Sequence, residues 1–268
     1  MDNRYIGVFD SGLGGLTAVK ELMHQLPNEG IVYFGDTARL PYGTRSHETI
    51  IKYVKDDIRF LLSFDIKLIV AACGTASAVA IEKIRQDFDI EIVGVVEPAV
   101  RAAVENTKSG RIGIIGTAGT INSGKYERVI MRYSSKYETV AMPCPLFVPL
   151  VENGHIDTEV VYRVAQEYLA PLKKANVDTI IMGCTHYPLL KQVIYDIMGE
   201  KVALIDPGAE TAKHVKHLLK ERDMLAGQSP EQQYRFFVSD LSDSFARMGS
   251  LFLQHKMDSI EKIDIEKY

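Results

Sequence analysis

Three segments of this 268-residue chain recur in the same order roughly 110 residues further on. "IGVFDSG", beginning at Ile6, is echoed by "IGIIGTAG", beginning at Ile112. "IVAACGT" and "IIMGCTH" align Cys73 with Cys184, and "VVEP" and "LIDP" align Glu97 with Asp206. The three separations agree to within five residues, which points to two copies of one folding unit. Short β-branched runs alternate with longer amphipathic ones: "YIGVFD" precedes "LTAVKELMHQL", "IVYFGD" precedes "HETIIKYVKDDIRFLLSF", and "KLIVAACG" precedes "ASAVAIEKIRQDF". "EIVGVVEPA", "RIGIIGTAG", "DTIIMGCTH" and "KVALIDPGA" continue the strands. This alternation predicts an α/β fold, with parallel sheets joined by crossover helices. The expected division is residues 1–97 plus 208–268 as one unit and 98–207 as the other. The joins fall at Glu97-Pro98 and Asp206-Pro207, where proline restricts the backbone and ends a strand.

Charge and cysteine content narrow the function. The 31 basic and 35 acidic residues give a net charge of −4 without a long run of either sign, so no nucleic-acid partner is expected. "MDNRYIGVFDSG" lacks the basic and apolar regions of a secretory leader, and no apolar run approaches the roughly 18 residues that span a bilayer. A cytoplasmic protein with no membrane partner is the expectation. Cys73, Cys144 and Cys184 are an odd number in a reducing compartment, so each thiol needs its own explanation.

Ligands of open α/β sheets bind beyond the carboxyl ends of the strands, where Asp10, Ser11, Cys73, Thr117, Cys184 and His186 all fall. If the two units face each other, these residues line one cleft, and Cys73 and Cys184 approach a ligand from opposite sides. Inversion at a carbon centre requires that arrangement: one thiolate removes a proton from one face while the opposing thiol delivers one to the other. A free cysteine has a pKa of roughly 8.5 and needs polar help, which Asp10 offers to Cys73 and His186 to Cys184. Cys144, between two prolines and without a counterpart, reads as a small buried hydrophobe. Zinc ligation by Cys73, Cys184 and His186 lacks any CxxC or comparable spacing.

"DSGLGG", with Asp36 further on, invites a dinucleotide reading, but Thr17 stands where a third glycine is required and no Walker lysine follows. The alternative is an anion site of backbone N–H groups aided by the Ser11 hydroxyl. "LPYG", Leu40 to Gly43, could close over a small ligand, and Glu152 is either a solvated loop acid or a group meeting a substrate ammonium. A two-lobed binding module is the competing class; the missing leader and the mirrored cysteines oppose it.

"FDSGLGGLTAV", "FGDTARLPYG", "AACGTASA", "GTAGTI", "PLVENG", "GCTHYPLL" and "IDPGAETA" together resemble the glutamate racemases of the cofactor-independent aspartate/glutamate racemase superfamily, over nearly the whole chain. The resemblance implies two pseudo-symmetric flavodoxin-like domains with the active site between them, interconverting L- and D-glutamate without cofactor or metal and supplying D-glutamate for peptidoglycan synthesis. It implies Cys73 and Cys184 as acid/base residues, assisted by Asp10, Glu152 and His186, with Cys73 acting on D-glutamate and Cys184 on L-glutamate. Substrate would be held by Asp10, Ser11, Pro41, Tyr42, Gly43, Gly74, Thr75, Thr117, Thr120, Thr185 and His186. Enzymes of this sort often form homodimers. One departure stands out: the family usually reads Cys-Asn-Thr where this chain reads Cys73-Gly74-Thr75. The smaller residue is expected to leave space beside the ligand, so restoring asparagine should act on affinity more than on the chemical step. An aspartate or other amino-acid racemase is the nearest alternative.

Overall fold

The computed structural model describes residues 1–227, 234–241, 245–255, 257 and 259–268. From the N-terminus the elements are β1 (Tyr5–Asp10), α1 (Leu16–Gln25), β2 (Ile31–Gly35), α2 (His47–Leu61), β3 (Ile66–Ala71), α3 (Gly74–Val79), α4 (Ile81–Ile84), β4 (Ile92–Gly94) and α5 (Val96–Asn106). The second run is β5 (Arg111–Gly116), α6 (Ala118–Asn122), α7 (Lys125–Tyr133), β6 (Glu138–Pro143), α8 (Phe147–Glu152), α9 (Glu159–Lys174), β7 (Thr179–Met182), α10 (Lys191–Met198), β8 (Ala203–Ile205) and α11 (Pro207–Glu221). β9 (Tyr234–Val238), α12 (Phe245–Leu253) and β10 (Ile260–Lys262) follow.

These strands form two parallel sheets, ordered β10-β9-β2-β1-β3-β4 and β6-β5-β7-β8. The core of the first, β2-β1-β3-β4, has the same order as the whole of the second, so the sequence repeat is a repeat of topology. β1, β2 and β3 are apolar along almost their whole length because helices cover both faces of the sheet, leaving no solvent side to alternate with.

The repeat places the strand ends. Phe9 pairs with Ala71, so Asp10 and Cys73 leave the first sheet at neighbouring points of one edge. Ile115 pairs with Met182, which does the same for Thr117 and Cys184 in the second. The last helix of each copy then crosses over. α5, following β4, packs on α7, β7 and β8; α11, following β8, packs on α1. α5 and α11 also pack on each other, and one buried apolar cluster runs from Val8 of β1 and Leu16 of α1 to Phe147 of α8 and Leu190 just before α10.

Several sequence expectations change. "EIVGVVEPA" is strand only to Gly94; helix begins at Val96, and Pro98 sits in its first turn, where a missing N–H costs no intrahelical bond. Pro207 likewise opens α11, so both prolines start helices rather than end strands. Asp206 caps α11, accepting from the Gly208 and Ala209 N–H groups at 2.8 and 3.3 Å, whereas Glu97 lies inside α5; the two are not equivalent. "ASAVAIEKIRQDF" is not one helix but α3, α4 and a 3-10 turn. β6, a half-buried edge strand, and β9 and β10 lack the strongly apolar signature of the other strands. β9 and β10 nonetheless extend the first sheet at β2, so the C-terminal segment does pack back on the first copy.

An ion pair at the far end of the first sheet holds that return. Lys67 on β3 sends its buried Nζ to Glu29 Oε2 at 2.5 Å, the Asp2 carbonyl at 2.7 Å and the Met224 carbonyl at 2.8 Å. Lys67→Met strands the Glu29 carboxylate in the interior, and chemical denaturation is expected to show a loss of about 3–5 kcal/mol. The kcat/KM of the folded variant should stay unchanged, because the pair lies at the opposite sheet edge from the thiols.

Candidate active site

Cys73 and Cys184 line a single cleft between the carboxyl edges of the two sheets. Ser11, Leu40, Pro41, Tyr42, Gly43, Gly74, Thr75, Thr117, Thr185 and His186 share its walls, together with Val148, which sequence reasoning had passed over. Asp10, Thr120 and Glu152 stand behind that wall.

Each thiol is held by its own loop. Cys73 caps α3, its Sγ accepting the Ala76 N–H at 3.5 Å and donating to Ser11 Oγ at 3.5 Å. Cys184 Sγ is 3.9 Å from His186 Nδ1, and His186 Nε2 is 2.9 Å from Glu152 Oε1. A carboxylate only accepts, so Glu152 draws the imidazole proton to Nε2 and leaves Nδ1 facing the thiol. Glu152 orients the histidine. The ring is also braced edge-on by Phe252 of α12, with centroids 5.1 Å apart. Nothing in the spacing of the motifs foretold that contact, since α12 reaches the site only through tertiary packing.

Asp10 is buried; Oδ2 accepts the Gly12 N–H at 2.9 Å, and Oδ1 has no hydrogen-bond partner among the described residues. Burial raises its carboxyl above the usual range, opposed by His186 and by backbone N–H groups of the following turn. An orphaned buried acceptor beside Ser11 suits an incoming ammonium. Deeper in, the Thr75, Thr117 and Thr120 hydroxyls form a triangle of 2.9, 3.0 and 3.3 Å, which aims Thr75 and Thr117 into the cleft and keeps Thr120 behind them. Cys144 is buried on the second sheet's core and does not reach the cleft, as its lack of a counterpart suggested.

Two glycines let the edges meet. A Cβ on Gly14 would lie 2.1 Å from Thr185 Oγ1 and 2.6 Å from His186 Nδ1, so "DSGLGG" serves close contact with the opposite loop. A Cβ on Gly74 would lie 2.3 Å from the Gly183 carbonyl oxygen. The space expected beside Gly74 is therefore not open: the backbone preceding Cys184 fills it.

Burial dominates the thiol electrostatics. It pushes Cys73, with Asp10 adding to the effect, up to about 11. It drives Cys184 higher still, with a backbone hydrogen bond at His186 opposing and Cys73, Asp10 and Glu152 adding to the rise. Burial at this level keeps both thiols protonated at neutral pH, and a cationic group entering between them would favour a thiolate.

A two-lobed α/β fold with one thiol on each side of a shared cleft defines a class of proton-transferring isomerases. The sequence profile of Asp/Glu/Hydantoin racemases matches residues 10–215, and the chain belongs to that family as an amino-acid racemase. It is 48% identical over 261 residues to a glutamate racemase of Geobacter metallireducens, covering 97% of each chain. The glutamate racemase of Francisella tularensis, solved in complex with D-glutamate, superposes with a TM-score of 0.94 at 40% identity and full coverage of both chains. A glutamate racemase isoform of Bacillus anthracis superposes equally well, with a TM-score of 0.94 at 38% identity over 98% of each chain.

Two outcomes follow from this geometry. Asparagine at Gly74 must push the Gly183 backbone away, and misplacement of about 1 Å can cost about 100-fold in rate, so Gly74→Asn should lower kcat rather than only raise KM. Separate kcat and KM values check this; an unchanged kcat would mean that the loops part without cost. The raised Cys73 pKa also makes folding stability pH-dependent. The native state keeps the proton longer than the unfolded chain, so this contribution is complete below about pH 8.5 and is lost as pH rises through about 11. Denaturation of wild type and Cys73→Ser in parallel should show the wild type losing ground over that interval, whereas parallel curves would contradict a buried neutral thiol.

Proposed function

We propose that this protein is a glutamate racemase that inverts the α-carbon by two-base proton transfer between Cys73 and Cys184. The observation that carries the reading is the placement of these thiols on opposite loops of one cleft, at equivalent strand ends of the two sheets. Glutamate as substrate is supported by the names and the similarity of the relatives described above.

The substrate ammonium enters near the orphaned Asp10 oxygen and lowers the cost of ionising a thiol. One thiol first gives up its proton, Cys184 to His186 Nδ1 or Cys73 to the Asp10 carboxylate; that Sγ takes the α-proton, the opposing Sγ–H gives its proton to the other face of the carbanion, and the roles exchange in the return direction. His186, oriented by Glu152, is the proton partner of Cys184, while Ser11 and the backbone N–H of Ala76 hold the Cys73 sulfur. Cys73 acts on D-glutamate and Cys184 on L-glutamate. Thr75, Thr117 and Thr185, with the Leu40–Gly43 strap, hold the carboxylates. The units divide as 1–97 plus 208–268 and 98–207, the enzyme works in the cytoplasm as a homodimer, and its D-glutamate supplies peptidoglycan synthesis.

Cys73→Ala and Cys184→Ala should each lose net racemisation, since general-base help alone is worth about 10²–10⁴-fold and the carbanion lacks its partner acid. Residual exchange should be one-sided: Cys184→Ala keeps α-proton exchange with D-glutamate, and Cys73→Ala with L-glutamate. Proton NMR of each enantiomer in deuterated water follows exchange separately from inversion. Near-wild-type racemisation by either variant overturns the two-base mechanism, and wild-type enzyme that exchanges aspartate but not glutamate overturns the substrate.

A further inference from the structure

The Leu40–Gly43 strap lines the cleft and brings Gly43 against Thr117 of the second sheet. A buried ionic cluster, not used in the chemistry above, ties it down. Arg39 donates from Nε to Asp36 Oδ2 at 2.6 Å, from Nη1 to Asp56 Oδ2 at 2.9 Å and from Nη2 to Asp57 Oδ1 at 2.9 Å. Its guanidinium lies 4.2 Å over the Tyr53 ring. The Tyr42 hydroxyl, fully buried, is 2.5 Å from Asp36 Oδ2 and 3.0 Å from Asp57 Oδ2. Ser239 of the returning C-terminal strand donates to Asp36 Oδ1 at 2.8 Å, and Arg59 donates to Asp56 Oδ1 at 3.1 Å. The exposed Glu266 lies 3.9 Å from Arg39 Nη1.

Counting protons resolves the cluster. A phenol carries one hydrogen, yet Tyr42 contacts two carboxyl groups, so both contacts are full hydrogen bonds only where one of those groups donates. Asp36 is the poorer donor, because Oδ2, the oxygen that faces Tyr42, already accepts from the Arg39 guanidinium at 2.6 Å. Asp57 can donate: Oδ1 accepts from Arg39, and Oδ2 meets the Tyr42 oxygen. Charge agrees, since Arg39 and Arg59 balance Asp36 and Asp56 and leave a third carboxylate uncompensated at a fully buried position. Burial and the neighbouring Asp36 both push the Asp57 carboxyl well above the ordinary range, and burial with the two carboxylates does the same for the Tyr42 hydroxyl.

We propose that Asp57 is held as a neutral carboxylic acid and is a positioning residue for catalysis: through Tyr42 it fixes the strap over the cleft without adding negative charge beside an anionic substrate. The second part of that role rests on the dicarboxylate reading given above. The roles of the two aspartates are unlike, and amide substitution separates them. Asn at 57 keeps an acceptor for Arg39 and a donor for Tyr42. Asn at 36 removes one of the two carboxylates that balance Arg39 and Arg59, and keeps its acceptor toward Arg39 and Tyr42 only by reversing the hydrogen bond with Ser239.

The test compares Asp57→Asn with Asp57→Ala and Asp36→Asn, alongside carbon-13 NMR of the wild-type protein labelled at the aspartate Cγ. Asp57→Ala should raise KM for glutamate by about tenfold or more and Asp57→Asn should recover most of that loss, while Asp36→Asn also raises KM by about tenfold or more. The wild-type resonance missing from Asp57→Asn should have the position of a carboxylic acid at neutral pH and hold it from mildly acid to mildly alkaline solution. An ionised Asp57 resonance at neutral pH, or a KM for Asp57→Asn raised as far as that for Asp36→Asn, overturns the assignment. The NMR readout needs neither substrate nor a folded Asp36→Asn protein, so it stands apart from any failure of the racemase reading, which would appear as wild-type enzyme inactive on glutamate.

Discussion

The contact on which the site depends is backbone against backbone: the loop that carries Cys73 rests on the loop that carries Cys184. Gly74 touches the carbonyl of Gly183, and Gly14 admits the Thr185 and His186 side chains. Each of these loops begins where a parallel strand ends, so the placement of the thiols is inherited from two rigid sheets rather than from flexible segments. A side chain at either glycine would hold the sheets apart, and proton transfer falls steeply with such separation.

Closure of this kind sets the electrostatics. The same burial that excludes water raises both thiols, and raises Asp10 above the usual carboxylate range. Interior polar groups are costly unless paired, and here the pairing is left incomplete at the Asp10 oxygen. The unlike partners of the two thiols, serine and backbone on one side, histidine and glutamate on the other, show that a symmetric fold carries an asymmetric site.

Two buried ionic assemblies hold the first sheet at opposite ends. Lys67 and Glu29 gather the chain's beginning, the end of α11 and β3 at the amino edge, while Arg39 and its three aspartates gather the strap, α2 and β9 at the carboxyl edge. The latter joins structure to chemistry, because Tyr42 belongs both to the cluster and to the cleft wall.

Periodicity and local repetition were legible in the sequence, and they determined the α/β class, the twofold repeat and the strand ends on which Asp10, Cys73, Thr117 and Cys184 fall. These are local properties, written in consecutive residues. Edge strand β6 and the returning strands β9 and β10 were not legible, since their partners rather than their own apolarity make them strands. The sequence could place Glu152 and His186 in the same site but not show that one orients the other, and it offered no sign of Phe252 behind the ring. It read Gly74 as empty space, whereas the tertiary structure fills that space with the backbone of a residue more than a hundred positions away. Which groups share a proton, and which gaps are gaps, depend on distances between segments remote in the chain, and only the packing of the two sheets decided them.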